Sequence, residues 1–204
     1  MKKFELTTEF ITNMFGKKLF RIKALVEFGN VKAGELGGYV EKEENVSQDG
    51  NAWVSGDARV SGDARVYGDA RVYGDAEVYG NAEVSGNAWV YGNARVYGNA
   101  RVSGNAEVSG NAWVSGNARV YGDAWVSGDA DYALVQGFGT EFRCTTFYRG
   151  KNKKIMVNCG CFHGDLEGFR KQVKETRNGK IAKEYLMIAD LMEYHFTSED
   201  SSNE

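Results

Sequence analysis

Gly56-Asp57-Ala58-Arg59-Val60-Ser61 is followed at once by Gly62-Asp63-Ala64-Arg65-Val66-Tyr67, and this hexad decides the fold. From Gly50 to Asp131 it is copied without slippage: Gly, then Asn or Asp, Ala, a variable residue, Val, and Ser or Tyr. Glycine falls at every sixth position from 50 to 128, 14 times, with Ala52 to Ala130 and the 13 valines from Val54 to Val126 on the same spacing. A fixed short period of this kind marks a solenoid. In Ala52-Trp53-Val54-Ser55, alternate residues of an extended segment point opposite ways, so Ala and Val face inward while Trp and Ser face out. Gly56-Asp57 turns the corner, because glycine tolerates positive φ and Asn or Asp bonds its own backbone. No hexad can bury its own apolar side, so stability must come from stacking coil on coil.

The order Val54-Ser55-Gly56-Asp57-Ala58-Arg59, an aliphatic residue every six positions and a small one four later, resembles the left-handed parallel β-helix of hexapeptide-repeat proteins. The resemblance covers about 80 residues. It implies a three-sided prism with three hexads per coil, in which each residue stacks on the one 18 positions later, and it implies a homotrimer. At ~4.8 Å per strand spacing, about 4.7 coils make a prism roughly 22 Å long. The flanks carry a second resemblance. Leu19-Phe20-Arg21-Ile22-Lys23-Ala24-Leu25 and Gly34-Glu35-Leu36-Gly37-Gly38-Tyr39-Val40-Glu41 look like the N-terminal part of phage- and prophage-encoded hexapeptide-repeat proteins. Cys159-Gly160-Cys161-Phe162, Phe169 and Glu184-Tyr185-Leu186 look like a C-terminal domain found on some of them. Such proteins are often labelled transferases by analogy with the coil, but a fold does not carry a function.

Outside the repeat, residues 1–49 read as an N-terminal β cap, with strands at Phe4–Thr8 and Leu19–Leu25 and a turn at Gly16-Lys17-Lys18. Its role is to cover the first coil and block edge-to-edge stacking. Residues 50–131 are the β-helix. Residues 132–196 read as a ββαα module: a hairpin of Cys144–Arg149 and Lys154–Cys159, a helix capped by Asp165 and running to about Arg177, and a second from about Ile181 to Phe196. Residues 197–204 read as a disordered polar tail. The fold class is therefore mainly β.

Composition narrows the function. The net charge is −3, and no segment is strongly basic: basic and acidic residues number 8 and 8 in 1–49, 6 and 10 in 50–131, and 11 and 10 in 132–204. This excludes binding to nucleic-acid polymers by bulk positive charge. Three cysteines are no disulfide framework, MKKFELTTEF has no apolar run behind its lysines, and no stretch is long and apolar enough for a membrane span. The expectation is a cytoplasmic protein, in the bacterial host if phage-encoded.

Hexapeptide acyltransferases as a class use a histidine between neighbouring prisms as base, and the related carbonic anhydrases hold zinc on three histidines. This chain has two histidines, His163 and His195, both outside the repeats. The expected catalytic and metal sites are therefore none, and no cofactor is expected. Cys159-x-Cys161-x-His163, if on one strand, would turn three metal-ligating atoms the same way, yet the simpler reading is small buried residues under the helices. The outward positions, sorted by 18, are more informative. One face reads Trp53, Arg71, Trp89, Glu107, Trp125, with Tyr73 and Tyr91 beside it; the second reads Arg59, Glu77, Arg95, Trp113, Asp131; the third reads Arg65, Glu83, Arg101, Arg119. Arg71 would lie between two indoles in cation–π geometry. Trp53, Arg71, Tyr73, Trp89, Tyr91 and Trp125 are the expected ligand-binding set, suited to a planar anionic, nucleotide-like ligand held by stacking and charge-assisted bonds in clefts between subunits. The expectation is thus a non-enzymatic binding protein that sequesters a small ligand. The alternatives are a polymerising scaffold, which the caps oppose, and an acyltransferase, which lacks a base on the coils.

Overall fold

The computed structural model describes residues 2–197. Three strands, β1 (Phe4–Thr12), β2 (Lys18–Ala24) and β3 (Leu36–Val40), precede 13 two-residue strands, β4 (Trp53–Val54) to β16 (Trp125–Val126), one in each complete hexad. Strands three apart pair in parallel, so that Trp89 lies between Arg71 and Glu107, Arg95 between Glu77 and Trp113, and Arg101 between Glu83 and Arg119. The result is a three-sided parallel β-solenoid of about five turns, stacked at the 18-residue register. Bonds from coil to coil run along the axis, as from Trp89 N–H to Ala106 O (2.8 Å) and from Tyr91 N–H to Val108 O (2.9 Å).

Alanines from Ala52 to Ala124 and valines from Val54 to Val126 fill the interior and are buried. Ala130 keeps the spacing but is exposed, because a short 3-10 turn at Asp129–Asp131 ends the coil. The Asp131 carboxylate holds that turn by accepting from the Ser127 and Gly128 N–H groups at 2.9 and 3.1 Å. At the corners, Gly98 has φ of +72°, and a Cβ there would stand 3.0 Å from the Gly116 nitrogen one coil on. The neighbouring amides form ladders, Asn81 to Asn99 at 3.1 Å and Asn99 to Asn117 at 3.2 Å, each donating to the next coil.

The solenoid begins before the repeat does. Tyr39 and Val40 pair with Arg59 and Val60, and Val46 bridges Val66, all at a separation of 20 rather than 18 residues. Val40 and Val46 keep the six-residue step, whereas Val46 and Val54 are eight apart. The two extra residues make room for Gln48, whose amide oxygen accepts from Lys3 N–H (2.7 Å) and Phe4 N–H (3.3 Å) and whose nitrogen donates to Phe4 O (3.2 Å). This seats the antiparallel hairpin of β1 and β2, which extends beyond the expected strands to Thr12 and Lys18. Lys3 Nζ closes the open coil by donating to Gly50 O (3.3 Å) and Ala52 O (2.9 Å), and the buried Asn45 amide donates to Gly62 O (3.1 Å) and Ala64 O (2.8 Å). Burial pushes the Lys3 ammonium down to about 8, against the opposing pull of Asp49 and Asp69.

At the other end the expected ββαα module has four strands. β17 (Tyr132–Phe138), β18 (Arg143–Arg149), β19 (Ile155–Cys159) and β20 (Phe162–Asp165) form one antiparallel sheet, followed by α1 (Leu166–Thr176) and α2 (Gly179–Thr197). Two strands escape the sequence reading because β20 is four residues long and β17 carries Gly137 at φ +96°. Asp165 caps α1 by accepting from Gly168 N–H at 2.9 Å. Phe147, Val157, Phe169, Tyr185 and Phe196 share a second core beneath the helices. Strand β18 and its neighbours cover the last coil, satisfying backbone groups that further coils would otherwise meet. Thr146 Oγ1 accepts from Arg119 N–H (3.0 Å), the Asn158 amide donates to Arg119 O (2.8 Å), and Tyr148 OH donates to Tyr121 O (3.0 Å). Burial pushes the Tyr148 phenol up to about 12. The expected disordered tail, apart from Thr197 at the end of α2, lies outside the described residues. No described helix is long and apolar enough to cross a membrane.

Candidate functional site

The 18-residue register brings five of the six expected binding residues onto one open face. Tyr73 and Tyr91 stack with ring centroids 4.9 Å apart and planes parallel, and Trp89 meets Tyr73 edge-on at 6.3 Å. This follows from the hexad, since Ser or Tyr comes two positions after the outward residue and both repeat along the axis. Trp89 and Trp125 are each 43% exposed. Between them, Glu107 accepts from Tyr91 OH at 3.3 Å and from Lys151 Nζ at 2.6 Å. The Lys151 contact ties the aromatic column to the C-terminal module, which also donates Lys151 N–H to Asp123 O at 2.8 Å. Burial raises the Tyr73 phenol above its ordinary value, with Tyr91 and Glu107 adding to the effect. The face therefore offers aromatic rings beside Arg71, with Glu107 paired to Lys151 further along it.

Two expectations for this face are corrected. Trp53 is not a surface residue: it is 2% exposed, packed edge-on under Phe4 (6.2 Å) and Phe28 (5.4 Å). The hairpin and the Phe28 loop fold over it, which an outward position in the hexad cannot reveal. Its indole Nε1 is buried without a hydrogen-bond partner, in keeping with a packing role. Arg71 does lie in register between Trp53 and Trp89, but the cation–π geometry seen on the coil is Arg95 over Trp113, 5.0 Å from the ring, on the second face. That face also stacks Tyr79 on Tyr97 at 4.9 Å and pairs Glu77 with Arg59 (3.3 Å) and Arg95 (3.4 Å). On the third face, Glu83 reaches Arg101 at 3.5 Å.

Cys159, Cys161 and His163 do not lie on one strand. Cys159 ends β19, Cys161 sits in the turn after Gly160, and His163 is on β20. His163 Nδ1 instead lies 2.7 Å from Asn158 Oδ1, within the network that covers the last coil. Among the described residues, no group of three or more His, Cys, Asp or Glu side chains is placed to hold a metal ion.

The fold and this patterned surface define a β-solenoid repeat protein with a structured cap at each end. Residues 64–76, 88–104, 94–110, 100–116 and 112–128 match the YdcK beta solenoid repeat. No curated protein matches the chain.

Proposed function

We propose that this chain is a non-enzymatic binding protein: a homotrimer of left-handed, hexapeptide-type β-helices that sequesters a small planar anion at the margins of its subunit contacts. The observation that carries the reading is the exposed aromatic column of Trp89, Trp125 and the Tyr73–Tyr91 stack. Contiguous apolar surface is seldom left in water, and tryptophan and tyrosine are enriched at interface centres. In this reading the Trp89 face packs against a neighbouring protomer. Arg71, Tyr73 and Tyr91 then reach a ring or phosphate at the edge of the contact. The absence of a histidine from the coils supports a binding role over acyl transfer. The flanking resemblance supports a phage or prophage source and a cytoplasmic location.

The test is a Trp89→Ala, Tyr91→Ala double variant studied by analytical ultracentrifugation, with native mass spectrometry of the wild type. Loss of the oligomer with retained β signal, and release of a retained small molecule from the wild type on denaturation, support the reading. An unchanged oligomer in the variant, or a wild-type monomer at micromolar concentration, overturns it.

A further inference from the structure

A groove of about 590 Å³ lies on the third face, where the last coil meets the C-terminal module. It is lined by Asn117, Arg119, Gln136, Arg143, Cys144 and the Gly160–Cys161 turn. Two guanidiniums from different elements open onto it, Arg119 from the coil and Arg143 from the start of β18. No carboxylate is among the lining residues, and no described acid lies within ion-pair distance of either arginine. Glu141 and Arg177 line the adjoining smaller pocket, which Arg143 and Cys161 share.

Two features leave this positive charge uncompensated and close to the turn at Gly160. Arg119 stacks directly on Arg101, and like charges opposed across a parallel ladder cost stability. Glu83 relieves Arg101 alone, leaving Arg119 as the uncompensated end of its column. On the other wall, Gly160 at φ +61° admits the Arg143 side chain, because any Cβ there would collide with Nη1 of that guanidinium. The Cys144 thiol, donating to Asn117 O at 3.4 Å, pins the floor between the two arginines.

We infer that this groove is a second binding site, for a compact oxyanion of the phosphate-monoester class. Two guanidiniums lining one groove suit the oxygens of a phosphate group, and charge-assisted bonds of this kind are the strong ones. The Asn117 and Gln136 carboxamides supply further donors. The site belongs to a different face from Trp89 and Tyr91 and stands whether or not that face forms a trimer contact.

The experiment uses the full chain with inorganic phosphate, chloride being substituted at matched ionic strength. Binding is read by phosphorus NMR line broadening, and its place by the alkylation rate of the exposed Cys161 thiol, measured peptide by peptide. The inference requires saturable broadening, at least threefold slower alkylation of Cys161 at saturation, and at least tenfold weaker binding in Arg119→Gln and Arg143→Gln. Arg65→Gln, at the far end of the same face, should bind as the wild type does. Arg119 is exposed on the coil, so Arg119→Gln alone carries the variant test should Arg143→Gln disturb the turn. Non-saturable broadening, unchanged Cys161 alkylation, or wild-type affinity in Arg119→Gln overturns the inference.

Discussion

Replacing Lys3 by methionine should change how stability depends on pH, and the structure fixes both sign and size. Lys3 is 4% exposed, and its ammonium closes the first coil on two carbonyls. Burial lowers its pKa from 10.5 to about 8, so folding disfavours the charged form. Below pH 8 the lysine is protonated in both states, and the folded state carries the full cost of about 3 kcal/mol, at about 1.36 kcal/mol per pH unit of the shift. As pH rises through the folded value toward the unfolded one, the folded state releases its proton first and that cost disappears. The wild type should therefore gain about 2–3 kcal/mol between pH 7 and pH 10 from this one group. Lys3→Met removes the titration and leaves the Gly50 and Ala52 carbonyls dry, a roughly constant loss of about 1–3 kcal/mol. Urea unfolding of both proteins across this range, followed by circular dichroism, gives the difference between their stabilities. Taking that difference cancels other alkaline groups, including Tyr148, whose raised pKa costs stability above pH 10. Parallel profiles for the two proteins would show that the Lys3 ammonium is not buried in the folded chain and would refute the reasoning.

Val90→Asp places an unpaired carboxylate in the alanine–valine interior of the central coil, at a cost of several kcal/mol; soluble, fully folded protein by circular dichroism would contradict the inward assignment of the valines. Gly98→Ala and Gly116→Ala share a positive φ, but only the first meets backbone, at 3.0 Å, whereas nothing lies within 4 Å of the second. The first should lower stability by about 1–3 kcal/mol more than the second, measured by denaturant titration of the pair. Acetyl transfer from acetyl-coenzyme A to amines, sugars or hydroxyls should stay at background, and turnover abolished by His163→Ala or His195→Ala would reveal a base supplied by the C-terminal module.

The solenoid was legible in the hexad because its period is its geometry: once Val72 and Val90 are known to stack, every column follows. The limits of that reading are equally physical. Val40 and Val46 belong to the first coil but stack at 20 residues, so a search for a constant period stops at Gly50. Trp53 obeys the alternation and still ends up buried, because what covers it, Phe4 and Phe28, comes from a distant segment with no periodic link to it. The cap residues Lys3, Asn45, Thr146 and Asn158 carry no motif, since each is defined only by the unpaired backbone it meets. The aromatic column could be laid out from the sequence, but the Arg119–Arg143 groove could not. Its two walls are joined by the docking of β18 on the coil, which neither local pattern encodes.

The two spacings in the coil set two independent adjustments of the whole molecule. Adding or removing 18 residues would lengthen or shorten the distance between the hairpin and the helical module by one step of ~4.8 Å, with each end still meeting the coil it is built for. Adding or removing a single hexad would instead swing the helical module a third of the way round the axis, moving Lys151, α1 and α2 to a different face. With 13 two-residue strands, one more than a multiple of three, the run from Trp53 to Trp125 begins and ends on the same side. The azimuth of the module is thus written in the count of repeats, and that count alone decides which columns of side chains lie beneath it.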